Sequence, residues 1–332
     1  VITLFSAPKP FHGHIDLIQR NALASWLALG EDLEILLVGD EDGMDEVAAG
    51  FGVRHVLAVE RNELGTPLLH SVFEQAESVG KGPVYCYANA DIVFLPDLLE
   101  AVERVRRRFE RFMLVGQRWD VDVTRPLAGG TEEVHDRLLR WKERARLHRP
   151  AGSDYFVYQG ISFGAMPPFA LGRAGWDNWM IYAARAAGVP VIDATTALTA
   201  LHQNHDYGHL PGGQAHYRLP ESARNVDLAG GREMIFTLPD ATWILDPAGL
   251  QPKPWWAPSI RRRLETGLYT RFGSTLASRL VRLLLHPITT LTYFGRRAIG
   301  RAGRGATPAA GEPDQAPMVE STAPNRSKPD EV

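Results

Sequence analysis

Val84-Tyr85-Cys86-Tyr87-Ala88-Asn89-Ala90-Asp91-Ile92-Val93-Phe94 is the stretch on which the fold turns. An apolar run of strand length empties into a polar trio before the chain turns apolar again, so Asn89-Ala90-Asp91 marks a strand end. Side chains two residues apart on extended backbone share a side. The Asn89 amide and the Asp91 carboxylate therefore face the same way, and such a pair can hold a hard divalent cation that bridges two phosphates. The same residues also read as a strand cap, with both side chains bonded to nearby backbone amides.

Working upstream, residues 1–7 form a short apolar strand bounded by Pro8 and Pro10, and 15–29 carries Ile15, Ile18, Ala22, Trp26 and Leu29 at helical spacing. Residues 33–39 (LEILLVG) are a continuous apolar run ending in Asp40-Glu41-Asp42-Gly43, the pattern of a strand buried on both faces that empties into a polar loop. A strand over 53–59 and a helix over 67–78 follow. Downstream, the pattern predicts a charged helix over 97–111, a strand over 112–116, a long connection over 117–153 with a helix at 132–147, and an apolar Tyr155-Phe156-Val157-Tyr158. An apolar segment at 161–169, a helix at 176–187 and a strand at 189–192 complete the series. Strands alternating with helices of this length predict an α/β domain, a three-layer α/β/α sandwich with a mostly parallel central sheet, closing near 245.

The remainder differs in kind. Between Arg261 and Arg304 ten arginines stand against one acid, Glu265, interleaved with leucines and aromatics. This predicts a basic amphipathic helical extension over 246–301, whose segment 260–304 suits peripheral contact with an anionic membrane on its cytoplasmic face; the plain alternative is extra helices packed on the domain. Residues 302–332, rich in Pro, Ala, Gly, Ser and charge, predict a disordered tail. The longest apolar stretch there, Leu280 to Phe294, is broken by Arg282, His286 and Pro287 and falls short of the roughly 20 residues that span a bilayer.

A formal net charge of -3 from 36 basic and 39 acidic residues gives no footing for nucleic acid as a partner. The single cysteine, Cys86, excludes an internal disulfide framework and a cysteine-rich metal site. With no secretion-signal pattern before the first strand, a cytoplasmic protein is the expectation. There is no GxGxxG after the first strand, no GxxxxGK[ST] and no GxSxG, so dinucleotide, P-loop and serine-hydrolase classes lose their usual support.

Ligands of open α/β sheets collect at the carboxyl ends of the strands. The polar residues expected there are the loop 8–14, Asp40, the trio 89–91, Gln117-Arg118 and His202 to Tyr207. His202-Gln203-Asn204-His205-Asp206 packs two imidazoles and a carboxylate closely enough for a ligand role, and imidazole favours manganese over magnesium. Asp177 opens a helix, where it either complements the helix dipole or acts as a base over an acceptor hydroxyl. His12-Gly13-His14 reads as a phosphate contact or a surface loop, and Arg20 as reaching a cleft carboxylate or solvent.

The order ITLFSAPKPF, EILLVGDED, YANADIVF, GWDNW and LHQNHDY resembles the GT-A class of nucleotide-sugar-dependent glycosyltransferases, over about 1–245. The resemblance implies that Ala7, Pro8 and Asp40 hold the nucleobase and ribose. It implies that the Asp-x-Asp position, occupied here by Asn89-Ala90-Asp91, binds the diphosphate through Mn2+ or Mg2+. His202, with His205 second, would complete the metal shell, and Asp177 would be the base of an inverting enzyme. The amide at 89 departs from the class pattern and weakens metal binding. The implied donor is a nucleotide-sugar and the acceptor a glycan, a lipid-linked sugar or a small molecule. A noncatalytic binding protein on the same fold and a sugar-phosphate nucleotidyltransferase are the alternatives; the latter calls for a Gly-rich first loop with Arg and Lys, and 7–14 has only Lys9 and two histidines.

Overall fold

The computed structural model describes residues 1–161, 163, 166–206, 213, 215–231, 234–254, 257–272, 280, 283 and 284. A nine-stranded sheet forms the centre. From one edge it runs β3 (Arg54–Val56), β2 (Leu33–Val38), β1 (Ile2–Ser6), β4 (Val84–Ala88), β9 (Tyr155–Gln159), β6 (Phe112–Val115), β10 (Val191–Asp193), β12 (Trp243–Asp246) and β13 (Gly249–Pro252). Among the described residues five of its eight strand pairings are parallel, which makes the sheet mostly parallel as expected; β9 runs against both neighbours and β13 against β12.

Both faces are covered, as the unbroken apolar runs require. Leu4, Leu37, Cys86, Leu114 and Val157 face a core shared with α1 (Gly13–Leu27), α2 (Met44–Phe51) and α4 (Asp97–Arg106). Their sequence neighbours Phe5, Leu36, Val38, Tyr87, Met113 and Phe156 face the opposite core, closed by α3 (Leu69–Val79) and α6 (Trp176–Ala186). One-residue alternation between two dry faces is the physical content of the three layers. The strand expected over 53–59 shortens to β3 because Val38, its last partner, ends β2.

The long connection supplies β7 (Trp119–Val121) and β8 (Arg146–Leu147) to a second sheet, ordered β5 (Ile92–Phe94), β11 (Ala200–Gln203), β7 and β8, with α5 (Thr131–Arg144) beside it. This sheet lies next to the carboxyl ends of β4 and β6. Trp26, fully buried on α1, donates its indole N–H to the Ile92 carbonyl at 2.9 Å and pins the start of β5.

The fold continues past the boundary expected at 245, which cuts through β12. The edge of the sheet still has to be finished: Leu245 is buried, Leu250 of β13 packs on it, and α8 (Ala257–Phe272) inserts Tyr269 into the core of α6. Arg262 and Arg263, read from sequence as part of a basic face, bind Asp240 and the Lys253 carbonyl. The compact unit runs from Val1 to Leu285. Within the basic segment, 273–279, 281, 282 and 285–301, together with the tail 302–332 and Tyr207, lie outside the described residues, and no helix among those described is long and apolar enough to cross a membrane.

Candidate functional site

The parallel strands β1, β2 and β4 end on one edge of the sheet, which brings Ala7-Pro8-Lys9, Asp40 and Asn89-Ala90-Asp91 to the same side of the molecule. Beta9, running the other way, begins there with Asp154 just before it.

Register accounts for the histidines. His202 on β11 is paired with Ile92 on one side and with Asp120 of β7 on the other, so it stands next to Asp91 and faces Asp120. His205 follows as the chain leaves β11, and its Nε2 lies 3.1 Å from Asp91 Oδ2. Asp91, His202 and His205 offer ligand atoms that all lie within 4.8 Å of one another. This is the spacing at which one divalent cation meets a carboxylate oxygen and two imidazole nitrogens.

Two observations fit a cation to these residues. Asp91 is buried, yet its Oδ1 has no hydrogen-bond partner, a costly state for a carboxylate oxygen unless something else compensates it. Burial works to raise the Asp91 pKa, but Lys9, His205 and His202 overcome it and hold the group well below the usual carboxylate range. It is therefore an anion ready to bind a cation. His202 Nδ1 lies 3.3 Å from Asp120 Oδ1, in a geometry that falls short of a hydrogen bond.

Behind the three stands a second set of groups, of which sequence reasoning singled out Arg118 as a strand-end residue and missed Asp120 and His148. Asp120 also meets His148 Nδ1 at 2.7 Å and Arg118 Nε at 3.0 Å. Its own burial is outweighed by the His202, His148 and Arg118 contacts, which keep it ionised far below the ordinary carboxylate pKa. Arg118 reaches on to Asp154 Oδ1 at 2.8 Å. Asp120 and His148 lie in the aperiodic connection 117–153, where no local pattern points to them. Lys9, part of the loop 8–14 expected at the strand ends, donates to Asp91 Oδ2 at 3.4 Å.

Asn89 bonds to two side chains and not to the backbone amides of a strand cap: its Oδ1 accepts from Tyr87 Oη at 3.0 Å and its Nδ2 donates to Asp154 Oδ1 at 2.9 Å. The amide ties β4 to the start of β9. A carboxylate at 89 would lose the donor and face Asp154 as a like charge.

Asp177 sits in the first turn of α6, after Gly175, whose φ of 107° turns the chain into the helix. Its Oδ2 accepts the Ser153 N–H at 3.3 Å, one residue from Asp154. Burial pushes its pKa up to about 6, against the lowering pull of the Ser153, Asn178 and Gly175 N–H groups and with Asp154 adding to the rise. A carboxyl so poised exchanges protons near neutrality.

Asp40 stands at the end of β2 under Arg61, which also binds Glu41 at 2.9 Å; the Arg61 bond holds Asp40 below its ordinary pKa. His14 lies in an open groove of about 590 Å³ with Asp122, Asn204, His205 and Asp206. His12 pairs with the exposed Asp42, and Arg20 with Asp16 one turn back on α1. The site thus unites Asp91, His202 and His205 and carries Ala7 and Pro8 beside Lys9, with Asp40 held by Arg61 at the end of the neighbouring strand.

No protein-family model matches the chain, and no curated protein matches it in sequence. Among solved structures it is similar to the mannosyltransferase PcManGT from Pyrobaculum calidifontis in complex with GDP-Man and Mn2+, at 12% identity over 92% of this chain and 79% of that one, with a TM-score of 0.43. A second is glucosyl-3-phosphoglycerate synthase of M. tuberculosis, at 13% identity over 70% and 81% of the two chains, TM-score 0.42. A third, S. aureus TarS 1-349 in complex with UDP-GlcNAc, is 14% identical over 38% of this chain, with a TM-score of 0.28, and this chain spans only 37% of its length.

Proposed function

We propose that this chain is a glycosyltransferase that moves a sugar from a nucleotide-diphosphate donor to an acceptor hydroxyl, assisted by Mn2+ or Mg2+ held by Asp91, His202 and His205. The observation that carries the reading is the buried Asp91, with one unpartnered oxygen, meeting two histidines at the carboxyl end of β4. A divalent cation bound there would offset the charge that grows on the leaving diphosphate.

In this reading Ala7, Pro8 and Asp40 take the nucleobase and ribose, roles that rest on their positions at the ends of β1 and β2. Asn89 serves the diphosphate from behind, by fixing the turn that carries Asp91. Asp177 is the general base of an inverting displacement. The acceptor oxygen bonds to the anomeric carbon as the bond from that carbon to the diphosphate oxygen breaks, the electron pair leaves with the diphosphate, and the acceptor proton passes to Asp177. Its pKa of about 6 suits that task, since the group is ionised at neutral pH yet basic enough to accept a proton. The acceptor is a glycan, a lipid-linked sugar or a small molecule. Peripheral membrane contact through 260–304 is a separate proposal motivated by the Arg and Leu pattern of the sequence; equal sedimentation of the full chain with anionic and neutral liposomes would refute it.

Calorimetric titration with UDP, GDP, CDP and dTDP, each with Mn2+, Mg2+ or EDTA, tests the donor site. One nucleotide should bind tightly with metal and lose at least tenfold in Asp91→Ala. Failure of all four to bind would refute the proposal.

A further inference from the structure

Lys9 stands where a bound cation would. Its Nζ lies 3.4 Å from Asp91 Oδ2 and 3.3 Å from His205 Nε2, between two of the three groups assigned above to the metal. A divalent ion bonded to both atoms, at the roughly 2.0–2.2 Å typical of such ligands, would lie against the ammonium. Two positive charges do not share that space. The side chain must therefore leave when the ion arrives, and its surroundings permit this.

The backbone of Lys9 is fixed. Its N–H donates to Gln19 Oε1 at 2.7 Å, Gln19 Nε2 donates back to the Lys9 carbonyl at 2.8 Å, and Gln19 is buried on α1. Pro8 and Pro10 stiffen the loop on either side. Motion is thereby confined to the flexible stem, whose side chain is one-third exposed. Local charge balance points the same way. Asn89 supplies no charge and Asp120 is engaged by Arg118 and His148, so Asp91 is the carboxylate that meets the cation directly. One carboxylate and one ammonium already balance.

We propose that Lys9 is a built-in counter-cation of the diphosphate site: its ammonium holds the cation position on Asp91 and His205, yields it to a divalent ion, and binds the diphosphate itself when no ion is present. This rests on the nucleotide-diphosphate reading and adds a competitor for the metal within the chain. An ammonium is a compact point charge with three rotatable donors, able to serve either a carboxylate or a phosphate by rotating its stem.

The test uses the full chain as wild type, Lys9→Met, which keeps much of the stem length without the charge, and Lys9→Arg, which keeps the charge. Mn2+ alone is titrated by calorimetry, and inorganic pyrophosphate is titrated separately in EDTA. Lys9→Met should bind Mn2+ at least tenfold more tightly than wild type and bind metal-free pyrophosphate at least tenfold more weakly, while Lys9→Arg keeps pyrophosphate affinity within about threefold. If wild type binds both probes and Lys9→Met matches it in either titration, the Lys9 role is overturned while the diphosphate reading stands. If wild type and variants bind neither probe, the diphosphate reading falls and the Lys9 role with it.

Discussion

Replacing Asp177 with asparagine should make the protein more stable at pH 8 and, in the same molecule, disable it. Burial raises the pKa of this carboxyl from its ordinary 3.8 to about 6, so the folded state binds its proton more tightly than the unfolded chain does. A raised folded pKa contributes stability that is fully present below about pH 4 and is lost as pH rises through about 6. At about 1.4 kcal/mol per unit, a displacement of about two units means that holding Asp177 ionised at pH 8 costs up to roughly 3 kcal/mol. Asparagine has nearly the same shape, retains a carbonyl to accept the Ser153 N–H, and carries no charge to desolvate. Urea denaturation of wild type and Asp177→Asn at pH 4 and pH 8 reads the difference directly. The variant should gain about 2 to 3 kcal/mol at pH 8 and little at pH 4, and its glycosyl transfer should fall by about 100-fold or more, the usual contribution of a general base. Wild-type activity should rise through about pH 6 to a plateau. A stability difference equal at both pH values, or a variant less stable at pH 8, would refute the reasoning and reduce Asp177 to a helix-capping group.

Asp120→Asn removes the charge that faces His202 and His148, and Mn2+ affinity by calorimetry should fall about tenfold or more, as losses of a group that orients a ligand do. Trp26→Phe deletes the buried N–H donor to Ile92, and should cost about 1 to 3 kcal/mol in urea denaturation and also weaken Mn2+ binding, because β5 starts next to Asp91. Arg262→Met leaves Asp240, whose side chain is 1% exposed, without its charged partner, and should lower stability by roughly 2 to 3 kcal/mol. A chain truncated at 250 should be less stable still, since it loses α8; an unchanged melting temperature would show that the fold does end near 245.

The layers were legible because they follow from short-range pattern. LEILLVG and VYCYA are apolar on both faces, and only a sheet covered twice accepts such strands. Asp91 was legible for the same reason, as a charge at the end of a strand that has no other cause to stop. His205 was visible as part of a dense cluster, but its precedence over the rest of that cluster depends on where β11 ends. Asp120 was hidden because a parallel pairing between β7 and β11, far apart in sequence, aligns it with His202, and His148 because it meets Asp120 from the other end of the same connection. No local spacing encodes that register. Lys9 was visible only as one residue of the loop 8–14, because the approach of a second element over 196 residues of chain is what brings His205 to it. The basic segment misled in part, since a helical face rich in arginine looks the same from sequence whether the arginines meet solvent or, as with Arg262, a buried carboxylate.

The central claim is that Asp91, His202 and His205 hold the cation of a nucleotide-diphosphate site, and anomalous diffraction at the manganese edge from crystals soaked with Mn2+ and the best-binding nucleotide tests it most directly. The account predicts one strong peak within bonding distance of an Asp91 oxygen and a nitrogen from each histidine, with the diphosphate against it and Lys9 turned away from Asp91. A peak elsewhere, or a nucleotide bound with no ion at these residues, would contradict it.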